Sequence, residues 1–272
     1  MTARSPAKAG AQGAASAARA RSWAPASAGE QDPRTEYLLR LGDDALVLGQ
    51  RVSEWCGHGP VLEVDISLAN LALDLIGQAT LLLDEVGNGD RLAFHRDVLD
   101  FRNCLLVEQP NGDFAQTIAR HLLYTTWQHM LLQRLTQSSD QFLRDFAHKA
   151  VKEVAYHRDL ASDWTIRLGD GTEESARRMV EGLDWNWRFI PELFDVDEKL
   201  QAAIDAGIAP DPREFEDEYR SAIASVLTEA NLEAPAEQRP ILGGRRGHHS
   251  EHLGHLLAEM QVLPRTYPDA KW

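Results

Sequence analysis

From Val61 to Val86 the apolar residues recur at spacings of three and four, the period of an α-helix rather than a strand. Leu62, Ile66, Ala69, Leu73 and Ile76 make one stripe; Leu68, Leu71, Leu75, Ala79 and Leu82 make another. A helix apolar on two sides is expected to be buried, so this one should sit centrally in a bundle. Between the stripes runs a polar line of Glu63, Ser67, Asn70, Asp74 and Gln78, whose spacings hold them on one face. Such a line is either a solvated seam or the inward polar row of a metal-carboxylate bundle.

The same period predicts helices over 33–55, 113–136, 140–168, 173–193, 212–230 and 247–262, with a further element at 91–107. Asp32-Pro33 and Asp211-Pro212-Arg213-Glu214 carry start signals, a cap residue followed by a first-turn proline. Gly57-His58-Gly59-Pro60 and Pro110-Asn111-Gly112 read as breaks. No period-two alternation competes, so the class is all-α, a bundle of long antiparallel helices over 33–272. No run is read as long and apolar enough to cross a bilayer. On the 140–168 helix, Lys149, Glu153, His157 and Leu160 share a face with Phe146 and Trp164, which predicts a half-buried Glu153. A buried carboxylate needs a cation or donors, and Lys149 and His157 lie one turn to either side.

Composition changes this picture at one end. Residues 1–32 are rich in Ala, Ser and Arg and poor in apolar side chains, the composition of a disordered tail. An Arg-rich, acid-poor leader also fits a transit peptide, whereas the apolar core of a secretory signal is missing. The formal charge is −14; the first 34 residues carry five cations against two acids, so the remainder stands near −17. That acidic body would repel a phosphate backbone, which argues against nucleic acid as a partner. Cys56 and Cys104 form neither a disulfide framework nor a metal pair and fit the reducing cytoplasm.

Helical di-iron bundles take one carboxylate from each of two helices and E-x-x-H from each of two others. No glutamate here has His at i+3. Glu54/His58, Glu153/His157 and Glu251/His255 stand at i+4, and Asp145/His148 is the one D-x-x-H. In "EVAYH" (Glu153 to His157) the i+3 position is Tyr156 and the histidine arrives one residue late. Near the C-terminus, "GGRRGHHSEHLGH" gathers His248, His249, His252 and His255 with Glu251, types that suit zinc, so a zinc hydrolase is an alternative. The glycines and arginines that open this run, Arg245 and Arg246 above all, form a candidate anion cradle. Trp185, Trp187 and Phe189 are candidate interface anchors or ordinary core. No Walker loop, G-x-G-x-x-G, G-x-S-x-G elbow or Cys-x-x-Cys occurs.

Taken in order, "EWCGHGPVLEVDISLANLALDLIGQA", "LLVEQPNGDFAQTIARH", "KAVKEVAYH", "ELFD" and "GGRRGHHSEHLGHLLAEMQ" resemble the C subunit of bacterial phenylacetyl-CoA epoxidase, from about Tyr37 to Trp272. The tail lies outside that pattern. The resemblance implies a ferritin-like fold and a non-catalytic, cytoplasmic structural subunit of a multicomponent monooxygenase that epoxidises the ring of phenylacetyl-CoA. It implies no cofactor in this chain: the di-iron centre belongs to a sister subunit, and FAD, iron–sulfur and NADPH to a reductase. Partners would be that di-iron subunit and the rest of the complex, with self-association through it, and neither nucleic acid nor membrane. On this reading Glu63, Glu153, Tyr156 and His157 mark a vestigial metal site, with Tyr156 in the histidine slot, and Arg245 and Arg246 are candidates for the CoA phosphates. An active di-iron oxygenase with unconventional ligands is the other alternative.

Overall fold

The computed structural model describes residues 32–268 and 270; the tail expected over 1–32 lies, but for Asp32, outside the described residues. Among the described residues there are ten α-helices, short 3-10 turns and no strand, as the periodicity required. Helices α1 (Pro33–Ser53) and α2 (Leu62–Val86) form one antiparallel hairpin, and α5 (Phe114–Leu135) and α6 (Gln141–Gly169) form the other. Together they make a four-helix bundle. Helix α7 (Glu173–Trp187) covers α5 and α6, α8 (Glu198–Asp205) leans on α1, and α9 (Glu216–Glu229) lies across α5 and α6. Helix α10 (Glu251–Thr266) packs over the short α3 (Gly89–Phe94) and one side of α1, while α4 (Leu105–Glu108) bridges α1 and α5.

Local chemistry sets most boundaries. Asp113, Asp140, Thr172 and Asp197 each accept a backbone N–H from the first turn of the helix they precede. The element expected over 91–107 is instead broken, because α1 takes its hydrogen bonds. Asp43 accepts Arg102 N–H at 2.8 Å and Asp44 accepts Cys104 N–H at 2.8 Å, which holds 101–104 extended against the bundle. Helix α8 escaped the periodic reading, being only 8 residues long, and the last helix starts at Glu251 rather than 247.

Helix α2 departs from expectation more consequentially. Leu68, Leu71, Leu75, Ala79 and Leu82 are buried, but Leu62 and Leu73 of the other stripe are 70% and 67% exposed. By length and composition α2 could cross a membrane after all; within this fold it is a core helix with one face packed and one left open.

Candidate functional site: the polar interior of the bundle

Two polar clusters lie inside the bundle. The first joins α2, α5 and α6. Gln78 is buried and donates to Glu153 Oε2 at 3.0 Å; Gln128 from α5 donates to Gln78 Oε1 at 3.4 Å. Lys149 Nζ stands 3.7 Å from Glu153 Oε1, so the half-buried carboxylate has the cation expected one turn away. His157 does not serve it. Its fully buried ring bonds Asp74 through Nε2 at 3.1 Å. Burial holds the His157 pKa below the ordinary imidazole value although Asp74 pulls it up. His121, one helix across, is buried with neither ring nitrogen partnered, and burial, then the charge of Arg120, holds it well below the ordinary value. Burial thus favours the neutral form of both imidazoles.

The four vestigial-site candidates do not come together. Glu63 is exposed near the start of α2, about 22 Å along the helix from Gln78 at roughly 1.5 Å per residue, and so cannot share a site with Glu153. Tyr156 is 53% exposed and points away from the interior. The reason is angular: at i+3 from Glu153 it falls on the outer side of α6, while His157 at i+4 falls inward.

The second cluster surrounds α1; of its members only Arg245 was singled out from sequence, although Asp43-Asp44 amid an apolar run was a signal. Asp43 forms a buried pair with Arg96, whose guanidinium lies over the Phe101 ring at 4.2 Å. Asp44 receives Arg245 in a two-pronged contact at 2.9 and 2.7 Å, together with the hydroxyl of Tyr124 at 3.2 Å. Glu36 is shared by Arg40, Arg102 and Lys199. Glu192 accepts backbone N–H groups from Leu105, Gly243 and Arg245, and burial raises its pKa. Gly244 must be glycine, since a Cβ would collide with the carbonyl of Asn103. The 243–247 loop is thus plugged into the bundle.

This corrects the anion-cradle expectation for one arginine. Arg245 is buried, and its donors go to Asp44 and to the carbonyls of Arg40 and Arg102. Arg246 is 44% exposed at its side chain and pairs with Asp195 at 2.6 Å. The histidines of the same run diverge as well. His249 is buried between Glu108, at 2.7 Å, and the Phe101 carbonyl, at 3.1 Å, while His248 and His255 are exposed. Among the described residues no three His, Cys, Asp or Glu side chains converge as a metal site, so the zinc-hydrolase alternative has no ligand set there.

A di-iron centre, the group a ferritin-like bundle implies, is no better matched by the interior. Asp43 and Asp44 each face a guanidinium, Glu108 is held by His249, Asn103 and the Ser250 N–H, and Glu153 by Gln78 and Lys149. Asp74 and His157 are a single carboxylate–imidazole pair. Protein cations and donors already neutralise the carboxylates that a metal would need, and displacing them would strand buried charge.

One small cavity, about 20 Å³, lies under α8 and the 208–212 segment. Tyr37, Arg40 and Trp127 line it, and Tyr37 Oη, Arg40 Nε and Trp127 Nε1 are all buried without partners. Of the aromatic anchors, Phe189 is buried, Trp187 packs partly buried against the core, and Trp185 is 41% exposed beneath Arg188. Trp185 alone of the three remains available to a partner.

Comparison with known proteins adds identity to this geometry. The profile of a family described as "Phenylacetic acid catabolic protein" matches residues 14–272, beginning inside the segment expected to stand outside the family pattern. The C subunit of 1,2-phenylacetyl-CoA epoxidase from Escherichia coli (strain K12) is 47% identical over 244 residues, covering 88% of this chain and 98% of that relative.

Proposed function

The chain belongs to the phenylacetic acid catabolic protein family, and from that premise we propose that it is the non-catalytic structural subunit of a phenylacetyl-CoA epoxidase, holding the di-iron subunit in a cytoplasmic complex. The observation that carries this reading is the state of the interior carboxylates. The interior carboxylates Asp43, Asp44, Glu153, Asp74 and Glu192 each face a guanidinium, an ammonium, an imidazole or a backbone donor. In the assembly the iron supplies oxygen activation in the sister subunit and a reductase supplies electrons. This chain supplies surface and shape. Two free cysteines, one buried and one exposed, suit the reducing compartment assigned to it.

A separation of activity from assembly tests the proposal. Asp74→Asn and His157→Gln are introduced together into the chain co-expressed with the other subunits. If this interior pair were catalytic, epoxide formation would vanish from a complex that still assembles. On the scaffold reading any loss of activity tracks loss of complex, and the purified chain carries no stoichiometric iron. Two irons per chain with activity abolished in an intact complex would overturn it.

A further inference from the structure

Among the described residues the open face of α2 has no counterpart. Leu62, Ile66 and Leu73 are 70%, 52% and 67% exposed, and Leu81 further along is 44% exposed. At 3.6 residues per turn Leu62, Ile66, Leu73 and Gly77 fall within an arc of about 60°. Gly77 sits in the middle of the helix, where glycine weakens a helix relative to alanine. Nothing among the described residues explains it: a Cβ there would meet none of their atoms within 4 Å. Beside it α2 and α6 part to leave a cleft of about 140 Å³, with Leu73, Gly77 and Leu81 on one wall and Phe146, Lys149 and Glu153 on the other. Tyr156, 53% exposed, stands on the outer side of α6 a turn beyond Glu153.

We propose that this α2–α6 groove is the docking site for an amphipathic helix of a different subunit, one carrying lysine or arginine along the edge of its apolar face. The proposal rests on the scaffold reading and names the surface that performs it. An apolar row flanking a groove is the arrangement that accepts a helix, and a glycine with open space above it admits the close approach of a second backbone. Charge selects the occupant. Glu63 and Asp84 stand exposed along the open face, and the groove adds the outer edges of Asp74 and Glu153, whose inward partners are His157, Gln78 and the groove cation, Lys149. A second copy would bring the same acids, on a chain of net charge −14, against its own kind. Like charges placed opposite one another disfavour that pairing, whereas a basic helix gains on both counts.

The test uses the full chain co-expressed with the other subunits of the enzyme. Gly77→Ala should leave the fold at least as stable while already weakening the complex, though less than a larger side chain does. Gly77→Leu and Leu73→Arg should keep helicity and melting temperature but weaken association with the iron-bearing subunit at least 100-fold by sedimentation. A photo-crosslinker at position 73 should trap a peptide of that subunit that contains lysine or arginine. If the variants assemble normally while Trp185→Ala disrupts the complex, the groove is overturned and the scaffold reading stands. A crosslink to a second copy of this chain, with a self-dimer lost in Gly77→Leu, also overturns it. If the unaltered chain associates with no subunit, the scaffold reading itself fails.

Discussion

Replacing Arg245 by methionine removes one half of a buried ion pair and probes how the C-terminal loop is fastened. The side chain gives two charge-assisted bonds to Asp44, at 2.9 and 2.7 Å, and reaches the carbonyls of Arg40 and Arg102 at 3.3 and 3.1 Å. Asp44 has no solvent exposure. Without the guanidinium it keeps only the Cys104 N–H and the Tyr124 hydroxyl. Removing one partner of such a pair costs about 3–5 kcal/mol. At roughly 2–4 °C per kcal/mol for a chain of this size, the melting temperature should fall by about 6–20 °C. Burial already raises the Asp44 pKa against the pull of Arg245. With that pull gone, a raised carboxyl stabilises below its unfolded value and loses that stability as pH climbs through the folded value. The deficit should therefore be smaller at pH 5.5 than at pH 8. Urea unfolding at both pH values measures it, and the double variant Asp44→Leu/Arg245→Met provides the control. That double should lose less than Arg245→Met alone, because no unpaired carboxylate remains. A loss below about 1 kcal/mol for the single change, or effects that simply add, would refute a buried, coupled pair.

Acidification should destabilise the chain through its two buried imidazoles, His121 and His157. Their folded pKa values are lowered, so the unfolded state takes up protons first. Stability present above about pH 6.5 should fall below it, by up to about 1.4 kcal/mol per pH unit for each histidine. Asp44 and Glu192, with raised values, act in the opposite sense at lower pH. A His121→Phe/His157→Gln double variant should show a shallower slope between pH 6.5 and 5, and an identical slope would refute the assignment. Arg246→Ala, unlike any change at Arg245, should cost less than about 1 kcal/mol in stability because its pair with Asp195 is exposed. A raised KM for phenylacetyl-CoA in an intact complex would assign Arg246 to the CoA phosphates, a dissociated complex to a neighbouring subunit, and neither change would remove it from both roles. The cavity between Tyr37, Arg40 and Trp127, about 20 Å³ against the roughly 10–15 Å³ a water needs, should hold one ordered water in a high-resolution crystal structure. An empty cavity there would count against it.

Periodicity alone determined the all-α class and the four long helices, because a three-and-four spacing buries a stripe only when the chain is helical. It also set Asp74 and Gln78 on one side of α2 and Lys149 within reach of Glu153, since those relations are local turns of one helix. The missing E-x-x-H was legible in the same way. What lay beyond the sequence was everything that depends on which helix faces which. A stripe of leucines reads alike whether a neighbour covers it or not, and only the packing of α1 on the opposite side left Leu62, Ile66 and Leu73 open. The arginines of the 243–247 loop read as an anion cradle; that Asp44, about 200 positions earlier, waits inside the bundle for Arg245 is a fact of tertiary structure. Partnership between charges distant along the chain leaves no period to read, and here it decides which charges fasten the fold and which are left to meet another molecule.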